Sequence, residues 1–181
     1  MSRDGFVSTT ASALVTMEGS DTIAELENLQ LSAVNGTAIN VTGTPGSLFV
    51  RKVTVDADTL GTFSATQNLE LEFYGSCDSG ITFLDSGAPE LALKAKLTQK
   101  AGGTGTLIDL GSIVWDFINI HESELLTQAG GTGLSGLATS GNLNTPGLGN
   151  VYSTRFDGGT ALNNITTGDA RWIFHSSCLG V

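Results

Sequence analysis

Leu97-Thr98-Gln99-Lys100-Ala101-Gly102-Gly103-Thr104-Gly105 returns, without its lysine, as Leu126-Thr127-Gln128-Ala129-Gly130-Gly131-Thr132-Gly133. Each copy has a strand-like lead that runs into a glycine cluster. Such a cluster cannot continue a helix, and it offers no side chain to pack. Between the copies lies the most apolar stretch of the chain, Thr106 to Ile120. A buried strand framed by two glycine loops predicts an all-β fold, an antiparallel β-sandwich of jelly-roll type with long Gly-rich loops. Two copies fall short of the roughly three units that a solenoid needs to bury its stacking faces, so they read as two similar turns at one end of a sandwich. Neither is followed by Lys-Ser or Lys-Thr opening a helix, which argues against a phosphate cradle.

Outward from this region the hydrophobic period is two. Leu91, Leu93, Ala95 and Leu97 alternate with Ala92, Lys94, Lys96 and Thr98. Val53, Val55 and Ala57 alternate with polar neighbours, and so do Leu69, Leu71 and Phe73. Each pattern describes a strand with one wet face. Further strands are expected near Phe6 to Met17, Leu48 to Asp56, Gly61 to Ser64, Ile81 to Leu84, Ile113 to Ile120, Val151 to Phe156 and Arg171 to Ser176. Asn35-Gly36, between two alternating runs, predicts a two-residue hairpin. Thr22 and Glu25 have capping-box spacing, and Ile23, Leu26 and Leu29 lie three apart, so Asp21 to Leu29 reads as a short helix or a charged loop. Residues 1–19 read as an extended N-terminal arm and first strand, and residues 20–181 as a single sandwich domain. Gly130 to Asn150, rich in Gly, Ser, Thr and Asn, reads as a long loop of the kind that is functional or ordered by a partner.

A chain of 181 residues can build a core without metal or disulfide staples. Its net charge of −10, with only eight Lys and Arg, argues against nucleic acid and against an anionic membrane surface. The opening Met1-Ser2-Arg3-Asp4-Gly5 lacks the apolar core of a secretory signal, which leads to an expectation of cytoplasmic synthesis. Asn35, Asn40 and Asn164 match the glycosylation pattern only incidentally on that reading.

Catalytic and metal constellations are thin. His121 and His175 stand in no metal-ligand spacing, and Gly133-Leu134-Ser135-Gly136 is not a nucleophile elbow. His121-Glu122-Ser123-Glu124 brings imidazole and carboxylates together but reads as a solvated loop. Asp56-Ala57-Asp58 and Asp157 could offer oxygen to calcium, yet no complete calcium loop exists, and turns explain them. Cys77 and Cys178 read as thiols that do not hold the fold, and Trp115 and Trp172 as core. The expectation is a protein that is not an enzyme and carries no cofactor and no metal.

Apolar residues on both sides of one strand predict a homo-oligomer, a trimer: Ile113, Trp115 and Phe117 on one side, Val114, Ile118 and Ile120 on the other. The doubled glycine phrase, the Leu134 to Asn150 loop and the extended Ser2 to Thr16 stand in a small, acidic, cysteine-poor β chain. In that register the chain resembles accessory virion proteins of tailed bacteriophages, of the capsid cement or decoration type. The resemblance is compositional and carries no residue roles. It implies a virion protein that binds copies of itself and the major capsid or another virion protein. Candidate partner-binding residues are Phe6, Leu14 and Val15 in the arm and Leu134, Leu137 and Leu143 in the loop. The alternative is a carbohydrate- or receptor-binding module of a tail or fibre. Paired exposed aromatics with convergent Asp and Asn would favour that alternative; a flat oligomeric base with long arms would favour cement.

Overall fold

Leu48 pairs with Leu69, Leu69 with Leu91, and Leu91 with Ile118, and every one of these pairings is parallel. Gly149 and Trp172 continue the same ladder. A second ladder runs through Leu31, Val55, Gly75, Leu97, Leu125 and Phe156. A third runs through Ile39, Gly61, Ile81, Ile108, Leu134 and Leu162. The chain therefore visits three faces in turn and returns one strand higher on each circuit, a parallel β-solenoid. The computed structural model describes residues 6–8, 13–18, 23–43, 45–64, 67–84, 90–111, 115–136, 148–163, 171–175 and 178–179.

This overturns the antiparallel sandwich and jelly roll. Alternation reports one dry and one wet side of a strand, and a coil of the solenoid has both just as a sandwich strand does. The inward residues were legible: Val53, Val55, Leu69, Leu71, Phe73, Leu91, Leu93, Ala95 and Leu97 are all buried. Neighbouring coils interlock through rings, with Phe63 tilted against Phe73 at 5.4 Å and Phe83 edge-on to Trp115 at 5.0 Å. The Trp115 indole N–H donates to the Leu110 carbonyl at 3.3 Å, so this Trp is core, as expected.

Three local expectations also change. Asn35 does take the left-handed conformation, φ 61°, but the chain does not reverse there. Asn35 and Gly36 fall inside one strand, Gln30–Val41, at a register shift between Ala33 and Thr37, and they turn the chain from the second face to the third. Ile23–Glu27 is a strand paired in parallel with residues 47–51, and no helix forms over the described residues of 21–29. There Ala24 and Leu26 pack on the core, while Ile23 is 62% exposed, so stacking on the next coil overrides the three-residue spacing. Phe6–Ser8 and Val15–Met17 are strands, as expected near Phe6 to Met17, but the arm they belong to pairs in parallel with the chain's own strand Gln30–Val41. Leu14 and Val15 are half-buried against the core, and Leu134 is fully buried within it rather than presented to a partner.

The doubled phrase is the solenoid's own repeat. Leu125 pairs with Leu97 and Thr132 with Thr106, so the second copy lies over the first, one to two residues out of step with it, at the corner between the second and third faces. A third copy, Gly158-Gly159-Thr160, follows, with Thr160 paired to Thr132. The buried Gln99 amide joins the layers: it donates to the carbonyls of Asp78 and Gly105, each at 2.9 Å, and accepts from the Gln128 N–H at 2.8 Å. A Cβ at Gly131 would stand 1.9 Å from Gln99 Oε1, and one at Gly158, φ 104°, would stand 1.9 Å from the Thr127 carbonyl oxygen. Only glycine lets the corners nest at coil spacing.

Of the long loop, Thr132–Ser135 and Leu148–Tyr152 are strands, while Leu137 and Leu143 lie outside the described residues. So do Ile113 and Val114. In the described part of that apolar stretch Trp115, Ile118 and Ile120 are buried, while Phe117, which opens the strand Phe117–His121, turns outward and is half-buried.

Cys77 is a buried, free thiol whose pKa is pushed up to about 12, chiefly by burial. Cys178 pairs with Arg155, and the ladder down to the Cys77 strand passes through Glu124 and Lys96 to Tyr74. Four steps of ~4.8 Å separate those strands, far beyond the ~7 Å reach of a disulfide. Cys77 is expected to resist maleimide labelling until the chain unfolds, with equal mobility in reduced and non-reduced gels. A native intramolecular Cys77–Cys178 bridge would contradict the stacking order.

Candidate binding face

On the first face each strand turns alternate residues outward. Phe49 and Arg51 leave the coil at 47–51, Glu70 and Glu72 the next, Ala92 and Lys94 the next, and Phe117, Asn119 and His121 the one beyond. Ala92 is the short member of its column, in register with Glu70, which is itself in register with Phe49. The gap above Ala92 is a groove of about 270 Å³. It is lined by Phe49 and Phe117, by Leu69, Leu91 and Ala92, and by the polar residues Asn68, Glu70 and Glu90.

Ion pairs fix the side chains around it. The Arg51 guanidinium lies 5.0 Å from the centre of the Phe49 ring, donates to Glu70 at 3.0 Å and reaches Glu25 at 2.9 Å. The hydrogen bond to Glu70 leads the causes that raise the Arg51 pKa above its ordinary value. Further along the face, Lys94 binds Glu122 at 2.8 Å, which raises the lysine and lowers the carboxylate. Tyr74 donates its hydroxyl to Glu72, and that bond leads the causes that keep the phenol protonated beyond its usual range. Above Lys94, the His121 and Tyr152 rings stack at 5.5 Å and 15°.

The residues singled out from sequence serve other ends. Glu122, φ 47°, turns the corner from the first face to the second. Ser123 donates to the His121 carbonyl at 2.8 Å and accepts from Ala95 N–H at 2.9 Å, and Glu124 pairs with Arg155. His121-Glu122-Ser123-Glu124 is thus a bonded corner. Asp56 and Asp58 flank the Lys100 ammonium at 3.1 and 3.8 Å, and Asp157 pairs with Arg155. The oxygens weighed for calcium therefore face protein cations. Among the described residues, no group of three or more His, Cys, Asp or Glu is placed to hold a metal ion, and no helix is long and apolar enough to cross a membrane.

Phe49, Asn68, Glu90 and Phe117 were not singled out as site residues from sequence. They are far apart in the chain, and only alignment of coil on coil makes them neighbours. The missing signal was the third Gly-Gly-Thr, which supplies the period. Compared with protein-family models, curated proteins and solved structures, the chain matches none.

Proposed function

We propose that this chain is a carbohydrate-binding module of a phage tail or fibre, which grips a glycan in the groove between Phe49 and Phe117. The observation that carries the reading is that two aromatic residues from coils three steps apart, Phe49 and Phe117, line one groove together with an amide and two carboxylates. Ring faces take the apolar C–H side of a sugar, while a few fixed polar groups orient its hydroxyls. A rigid stack of coils holds this geometry without a separate ordering cost on binding. The tail or fibre setting rests on the compositional resemblance to virion proteins. Within it, the tail reading is favoured over capsid cement, because the residues expected to form a free docking arm pair with the chain's own coils.

Phe117→Ala tests it. The ring is half-buried and points out of the coil, so its loss is expected to change stability by less than about 1 kcal/mol. Binding to glycans of bacterial surfaces should fall at least tenfold, about 1.4 kcal/mol. Glycan-array binding followed by calorimetry reads both quantities. Intact protein that binds no carbohydrate but loads onto capsids would overturn the reading in favour of cement.

A further inference from the structure

The first face does not end at the groove. Ala92 is in register with Asn119, and Asn119 with Asn150, so a single outward column runs from Phe49 through Glu70 to Asn150. Its four steps at ~4.8 Å span roughly 19 Å, room for several sugar rings in a row. Beside the upper end stand the stacked rings of His121 and Tyr152, the latter 37% exposed. Among the described residues, the buried side-chain oxygen without a hydrogen-bond partner is Oδ1 of Asn119, in this same column. An acceptor in that condition is a standing cost, which a ligand hydroxyl relieves when the amide turns to meet it.

The charges along the face point the same way. Arg51 is engaged by Glu25 and Glu70, and Lys94 by Glu72 and Glu122. Glu90 adds a further carboxylate at the groove, on a chain of net charge −10. An acidic sugar would meet carboxylates and cations that are already paired.

We infer that the ligand is an uncharged, extended polysaccharide laid along the coil axis. It occupies the Phe49/Phe117 groove and a second subsite made by Asn119, Asn150, His121 and Tyr152. This rests on the glycan reading of the groove and adds the ligand's length, direction and charge. Neutral hexose and N-acetylhexosamine polysaccharides, their short and long oligomers, and uronate oligomers of matched length are the probes.

Neutral oligomers should gain at least tenfold in affinity as they lengthen beyond the groove, and uronates should bind at least tenfold more weakly. Tyr152→Ala and Asn119→Ala should remove the gain with length yet leave the shortest ligands unchanged. Unaltered circular dichroism of both variants excludes misfolding, and Tyr152→Phe should retain the gain. Affinity independent of length, tight uronate binding, or full long-chain affinity in Tyr152→Ala would overturn the inference while leaving the groove reading in place. Absence of binding to every carbohydrate would overturn both.

Discussion

Gly75→Ala is expected to be among the most damaging single-atom additions this chain can receive. Gly75 sits in the second ladder with φ 127°, and a Cβ built there lies 1.9 Å from the carbonyl oxygen of Val55 in the coil below. The backbone cannot yield at one coil without losing register with its neighbours, so both the steric overlap and the disfavoured φ must be absorbed. A cost of about 3 kcal/mol or more follows. Gly102 is the control: it also has positive φ, 84°, but nothing stands within 4 Å of its added Cβ. Gly102→Ala should therefore cost only the conformational part, about 1 kcal/mol. Urea unfolding of the two variants separates close approach from conformation. Equal losses would mean that the coils are not stacked as described.

Trp115→Ala should be comparably severe for a different reason. The ring is fully buried, packs edge-on to Phe83 and donates to the Leu110 carbonyl. Removing it empties the corner that leads into the first face and strands a carbonyl, for an expected loss of about 3–5 kcal/mol. Because Trp115 lies two residues before Phe117, part of that loss should reach the groove and weaken glycan binding. Trp115→Phe, which keeps most of the volume, should recover the greater part of both. Unfolding curves and calorimetric titration of the two variants check this. A Trp115→Ala protein of normal stability would place the ring outside the core.

How far the sequence could be read follows from what alternation encodes. The inward residues of the strands through Val53, Leu69 and Leu91 were legible because burial on one side imposes a period of two. The direction of the neighbouring strand leaves no trace in that period, so parallel coils and antiparallel hairpins look alike. Coil length would have told them apart, but it varies: the first-face position recurs at residues 24, 48, 69, 91, 118, 149 and 172. The glycine corners keep better time. Gly-Gly-Thr at 102–104, 130–132 and 158–160 marks three successive circuits, and the lysine inserted in the first copy and the lost Leu-Thr-Gln lead of the third obscure it. The Thr22 and Glu25 spacing misled because a five-residue segment takes whatever conformation the next coil templates, and residues 47–51 template a strand. The groove was illegible for a related reason. Ala92 looks unremarkable beside Lys94 and Leu93 until it is seen as the short residue in a column headed by Phe49.

The pH behaviour of this face follows from its pairs. Glu122 is held below its ordinary pKa by the hydrogen bond from Lys94. Its stabilising contribution is thus complete above the usual carboxylate range and fades as pH falls through the lowered folded value. The pair is exposed to solvent, so the effect on the whole fold is small. Its consequence is local, at the corner that carries His121 beside Tyr152.

The most direct measurement is a crystal structure of the protein with a long neutral oligosaccharide bound. Sugar rings should lie against Phe49 and Phe117 over Ala92, and the glycan should run along the coil axis toward Asn119 and Tyr152. Sugar bound at another face, or an oligosaccharide crossing the strands with its rings clear of both phenylalanines, would contradict the account.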